Sequence, residues 1–265
     1  MKLDTTSYYP ASPLGDEPEL PEEPAMGNFP EEPVKPEEQE ERENSEYTET
    51  SEFSDPDDTP RPVIDAIARI ASWVLVPLMM PLYGIILIFS LSILSFVPEA
   101  SKWAFTAIVA LFNMAVPAIL VLLLKRFGIV HDIGLNGRKE RLIPYIITIL
   151  CMGGTAWFLH SKGFPMWVTM FYAGGAVAGV IEFLINFRWK ISAHCAAIAG
   201  IVALLVHMTH NPYPSPYITV WLVVAIFCAG LLGSARLWLR RHTLAQVLAG
   251  YSVGFLAVYL MMFIH

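Results

Sequence analysis

The sequence predicts an all-α, polytopic membrane bundle of six to seven transmembrane helices behind a disordered, acidic N-terminal tail. Three observations carry that prediction. Residues 1–60 hold 19 Asp/Glu against three basic residues, a net of −16, whereas the remainder holds 14 basic and five acidic residues, a net of +9. Apolar runs of membrane-spanning length, which need roughly 20 residues each, succeed one another from about Ala71 to the end. Basic residues cluster between alternate runs.

The tail, EPELPEEP…EEPVKPEEQEEREN, carries half of the 20 prolines and few apolar residues. Such a stretch cannot bury enough apolar surface to offset its ordering entropy. It reads as a solvated segment over residues 1–62, with a protein that binds its acidic face as the one partner it suggests. No charged n-region followed by an apolar h-region opens the chain, so no cleaved signal peptide is expected. The membrane domain is expected over 63–265.

Seven runs follow, at about 71–97, 103–124, 142–160, 165–187, 191–208, 217–235 and 245–264. The first is the longest and holds Pro77 and Pro81, which predicts a kink or tilt. Gly175/Gly179 and Gly250/Gly254 have the G-x-x-x-G spacing that lets helices approach closely. Cys151, Cys195 and Cys228 lie inside apolar runs with no disulfide or metal spacing, and read as buried small residues. His207 and His210, in VHMTHNPYPSPY, read as loop residues.

With the N-terminus on one side, the loops after the second, fourth and sixth runs share that side. It then holds twelve basic residues, against Lys102 and Lys162 opposite. The positive-inside rule makes the rich side cytoplasmic. Removing Arg138, Lys139, Arg141, Lys190 and Arg236, which chemistry could require, leaves seven against two.

Three of these basic segments each run into a helix start: NGRKERLIP (Asn136–Pro144), RWKISAHCAAIAG (Arg188–Gly200) and ARLWLRRHTLAQVLAG (Ala235–Gly250). Helix N-termini offer unpaired N–H groups and a positive dipole end, and arginine pairs bidentately with phosphate oxygens. Together these suit a lipid phosphate whose tail lies among the helices. His194 and His242 add chemistry: one imidazole could attack phosphorus while the other protonates the leaving oxygen. Gln246, four residues after His242, is placed to reach the ring and fix its tautomer if a helix begins near Thr243. Glu182, an ionisable group inside a span, is a functional candidate or a partner for Arg188 or Lys190. Nothing points to nucleic acid, a cofactor or a metal.

The three segments resemble the signatures of the type 2 phosphatidic acid phosphatase superfamily, K-x6-R-P, P-S-G-H and S-R-x5-H-x3-D. Ala235-Arg236, His242 and Gln246 reproduce the third spacing, followed by V-L-A-G-x-x-x-G. Ile191-Ser192-Ala193-His194 is similar to the second. Arg138-Lys139-Glu140-Arg141-x-x-Pro144 resembles the first without its strict spacing. The combination KER-x-x-P, WKISAH and AR-x5-HT-x-x-QV-x-AG looks like a divergent branch common in Bacteroidetes-type bacteria. The resemblance spans roughly residues 71–265 and implies a metal-independent lipid phosphate or pyrophosphate phosphatase of a bacterial inner membrane. It makes His242 the nucleophile of a phosphohistidine intermediate and His194 the acid for the leaving alcohol. Arg236, Ser192, the Ala193 N–H, Lys139, Arg141 and Arg138 would hold the phosphate. The chain departs at Gln246, where the family has Asp, and at Ala193, where it has Gly. A non-catalytic scaffold that binds anionic lipid is the alternative expectation.

Overall fold

The computed structural model describes residues 61–128, 142–211 and 215–264. The expectations for the tail and for Arg138, Lys139 and Arg141 fall outside the described residues. Among the described residues there are seven helical segments and no strand. They are α1 (Pro62–Leu91), α2 (Glu99–Arg126), α3 (Leu142–Ser161), α4 (Met166–Asn186), α5 (Ala193–Thr209), α6 (Ile218–Trp238) and α7 (Leu244–Met261). All except α5 are long and apolar enough to cross a bilayer; α5 has 17 residues. The chain is a multi-pass, all-α membrane protein.

Proline interrupts the first two helices. In α1 the helix stops at Val74 and resumes at Met80 through a 3-10 turn, Pro77–Met79. Val76 is extended, as the residue before a proline prefers to be. Pro81 sits in the first turn of the second piece, where its missing N–H costs nothing. Tyr83 Oη donates to Val74 O at 3.0 Å and Tyr172 Oη to Pro81 O at 2.9 Å, so carbonyls on both sides of the break are bonded. The break therefore falls at Pro77 and not at Pro81. The helix starts at Pro62, well ahead of the expected 71.

In α2 the α-geometry widens to a π turn at Leu111–Ala115, directly before Pro117. Proline cannot donate to the carbonyl four residues back, and a π turn absorbs that lost bond. Buried Asn113 uses the turn to bond Val109 O at 3.0 Å and Thr155 Oγ1 of α3 at 2.8 Å. A break in this span differs from the uninterrupted helix expected over 103–124.

In a bilayer, apolar burial gives helices little reason to associate, so close packing has to hold them together. The glycines show how. A Cβ on Gly254 of α7 would collide with the Ala196 carbonyl of α5, and one on Gly250 would lie 2.5 Å from Ser192 O. These two helices run parallel, since Gly250 meets Ser192 and Cys195 while Gly200 meets Val258. Gly175 and Gly179 of α4 instead receive the Met152 and Ile149 side chains of antiparallel α3. Both G-x-x-x-G expectations hold, one as backbone contact and one as side-chain insertion.

α5 supplies much of the interior: Cys195, Ile198, Ile201, Leu204, Leu205 and Met208 are all buried. Val220, Val223, Ile226 and Phe227 of α6 point outward, as a lipid-facing surface would. His207 corrects an expectation. It lies in the last turn of α5, 8% exposed, with its ring 5.2 Å from Phe263 and 6.0 Å from Trp167. His210 caps that helix end, with Nδ1 2.9 Å from Val206 O.

Candidate active site

The site forms where α5 and α7 begin side by side. Thr243 is the N-cap of α7, and T-L-A-Q closes a capping box there: Gln246 N donates to Thr243 Oγ1 at 3.4 Å and Thr243 N to Gln246 Oε1 at 3.3 Å. The pattern S/T-x-x-E/Q is a sequence-level sign of this arrangement. A backbone N–H can only donate, so the atom facing Thr243 N is the amide oxygen. That same Oε1 lies 3.1 Å from His242 Nδ1. It can only accept, so Nδ1 carries a proton, and in the neutral ring the lone pair belongs to Nε2. The link between His242 and Gln246 expected from their spacing is therefore present, with both side chains buried at 8% and 5% exposure.

The second segment is tied to the third through the backbone. Ser192 N donates to Gln246 O at 3.3 Å. Ser192 is the N-cap residue of α5 and wholly buried, yet its hydroxyl does not cap the helix; it lies beside the Cys195 thiol. Ala193 and His194, both half-buried, form the first turn of α5, whose leading N–H groups have no intrahelical acceptors. Two helix N-termini thus open at one place, each with a positive dipole end.

Arg236 enters from α6. It was expected in a loop but sits in the last helical turn, half-buried. Cys195 lies within electrostatic reach of both Arg236 and Glu182, and its thiol neighbours the Tyr251 hydroxyl of α7. Ser192 of the α5 N-cap and Tyr251 of α7 therefore flank the buried sulfur directly, while Arg236 of α6 and Glu182 of α4 act on it at longer range. In the sequence Cys195 reads only as a small buried residue, and nothing in the local pattern marks Tyr251.

α6 ends in a turn that carries Arg240 and Arg241. Arg241 N donates to Arg236 O at 3.1 Å and Arg240 N to Leu237 O at 2.9 Å. Arg240 takes φ 49, the left-handed position that such a helix end requires and that glycine usually fills. Both arginines are exposed.

The outer side of α6 is braced by α1. Trp238 Nε1 donates to Asp65 Oδ1 at 2.8 Å, the Arg61 guanidinium lies 5.7 Å from the Trp238 ring centre, and Ala68 and Ala71 pack on Ala235 and Leu239. The start of α1 and the end of α6 thus lie at the same face of the bundle. Among the described residues no group of three or more His, Cys, Asp or Glu is arranged to hold a metal ion.

Of the residues expected to act together, His242, Gln246, Ser192, Ala193, His194 and Arg236 fall on this junction of α5, α6 and α7. No family model, curated protein or solved structure matches the chain.

Proposed function

We propose that the protein is a lipid phosphate or pyrophosphate phosphatase that works without a metal ion through a phosphohistidine. The observation that carries this reading is the His242 Nδ1 to Gln246 Oε1 contact of 3.1 Å, beside two helix N-termini and an arginine. It leaves Nε2 of His242 with the electron pair a nucleophile needs.

In this mechanism Nε2 attacks phosphorus and the P–O bond to the lipid breaks. The leaving oxygen takes a proton from His194. Water then attacks the phosphohistidine, gives its proton to His194 and releases inorganic phosphate, restoring both histidines. Arg236, the Ser192 hydroxyl, the Ala193 N–H and the α5 dipole offset the charge that gathers on the phosphoryl oxygens. Lys139, Arg141 and Arg138 of the preceding segment would add cations to the same anion. Candidate substrates are phosphatidic acid, phosphatidylglycerol phosphate and an isoprenoid pyrophosphate. The basic residues near the site favour its placement on the cytoplasmic side of a bacterial inner membrane.

Gln246 favours a second reading, because glutamine brings no negative charge to stabilise the His242 imidazolium. The scaffold would then bind anionic lipid without turning it over. One experiment separates the two. Phosphate release from a panel of lipid phosphates is measured in detergent with EDTA for wild type, His242→Ala and Gln246→Asp. Release by wild type that is lost in His242→Ala supports the enzyme. No release by wild type, with activity appearing in Gln246→Asp, supports the lipid-binding scaffold.

A further inference from the structure

Glu182 is buried on α4 within electrostatic range of Cys195, and no signature segment contains it. It is 6% exposed, and among the described residues it is the one buried acid. The inward face of α4 runs through Phe171, Gly174, Ala178, Glu182 and Asn186, all buried at helical spacing. Gly174 fixes the register of that face on α7, because a Cβ there would lie 2.7 Å from Val258 Cα and 3.1 Å from Ala257 O. Gly174 faces inward near Val258, and the two helices are antiparallel. At about 1.5 Å per residue, eight residues along α4 reach the level of Gly250, and four more reach Gln246. Gly250 is in turn the residue packed on Ser192 O and Cys195 Cβ. Glu182 therefore shares a layer with Cys195, about one helical turn below the Gln246 amide that holds His242.

Arg236, half-buried in the last turn of α6, lies within electrostatic range of the same Cys195. Its helix is pinned by Tyr251, whose hydroxyl bonds Ala229 O and would collide with a Cβ on Gly233. Both Glu182 and Arg236 lie within electrostatic range of Cys195, and both are engaged by polar or electrostatic partners. A carboxylate this deep in a span costs several kcal/mol unless a cation offsets it. Arg236 has a guanidinium with five donors, enough to serve a carboxylate on one edge and a phosphate on another.

We propose that Glu182 is a positioning residue: its carboxylate pairs with Arg236 and holds the guanidinium ready for the phosphate of the substrate. The inference rests on the phosphatase reading. In this arrangement Glu182, about one helical turn from the Gln246 amide along the bundle, acts through Arg236 and not on the reacting atoms. Its charge also balances Arg236 when no substrate is bound, which Gln246 does not do. The pairing makes a signed forecast. If Glu182 only repelled anions, removing its charge would tighten phosphate binding; as a positioning group, its removal weakens it.

The test uses full-length protein in detergent, inorganic phosphate as the probe, and the variants Glu182→Gln, Arg236→Gln and the double variant. Two quantities are read: phosphate affinity and thermal stability. The expected result is a loss of about tenfold in phosphate affinity for Glu182→Gln, equivalent to about 1.4 kcal/mol. Little further loss should follow when it is added to Arg236→Gln. Stability should fall in each single variant and recover in the double, because each single change strands a buried charge and the double strands none. Unchanged or tighter phosphate binding in Glu182→Gln overturns the inference and leaves the phosphatase reading intact. Additive stability losses overturn the pairing. If wild type binds no phosphate and yet the stability cycle is coupled, the phosphatase reading fails and the pair is structural only. Should Glu182→Gln not fold, Glu182→Asp takes its place; kept charge should keep phosphate binding, and a fall to the Arg236→Gln level overturns the proposal.

Discussion

Gln246 does two jobs with one oxygen. Its Oε1 accepts from Thr243 N in the capping box and from His242 Nδ1 in the site. Gln246→Ala removes both. Loss of a helix cap of this kind costs about 1 kcal/mol, which should appear as a lower melting temperature. Catalysis should fall much further, since the ring loses its fixed tautomer; in a triad of different chemistry a tautomer error of this sort costs about 10⁴ in rate. Melting curves and phosphate release on the same preparation separate the two effects. Arg240 is the other residue whose local geometry matters. At φ 49 a side chain other than glycine carries a left-handed penalty of roughly 1–2 kcal/mol. Arg240→Gly should keep the helix end and full phosphate release, whereas Arg240→Val should lose stability, because β-branching fits that conformation worst. Equal stability for the two would show that the turn does not hold φ positive.

The two glycine pairs predict different tolerances at the scale of helices. At Gly254 the obstacle to a Cβ is the Ala196 backbone, which cannot rotate away without moving α5. At Gly175 it is the terminal methyl of Met152, a flexible end that can turn aside. Gly254→Ala should therefore cost more than the usual 1–3 kcal/mol of overpacking, and Gly175→Ala less. Comparing detergent melting temperatures tests this, and a reversed order would contradict the packing. Gly254→Ala should also disturb the site, because α5 and α7 carry Ser192, His194, His242 and Gln246. The breaks in α1 and α2 obey one rule, that a proline inside a span needs other groups to bond the freed carbonyls. Tyr83 serves Val74 O beside the break of α1 in this way, while α2 widens into the π turn that carries Asn113.

The proposed orientation is a property of the whole chain and can be tested as one. In a variant with Cys151, Cys195 and Cys228 replaced, single cysteines at Arg240 and at Lys162 should lie on opposite sides of the membrane. A membrane-impermeant thiol reagent applied to right-side-out vesicles should label Lys162→Cys and leave Arg240→Cys unlabelled. The reverse pattern would place the site outside. The spans, the charge asymmetry and the His242–Gln246 relation were legible in the sequence because each depends on residues close together in the chain. Run length shows a span, spacing of four shows a shared helix face, and T-x-x-Q shows a cap. The span boundaries of α1, the π turn of α2 and the buried place of His207 were not legible, since each depends on what a neighbouring helix supplies. His207 looks like a loop residue beside N-P-Y-P, and only Trp167 and Phe263 make its position a core. The same division holds for the site. Composition and local pattern determined an all-α membrane bundle with basic segments at one face. Only the tertiary structure decided that the parallel helices α5 and α7 come into backbone contact, joining Ser192 to Gln246, and that Glu182 lies in their layer. Helix register is set by side-chain and backbone contacts between distant segments, and no local pattern encodes it.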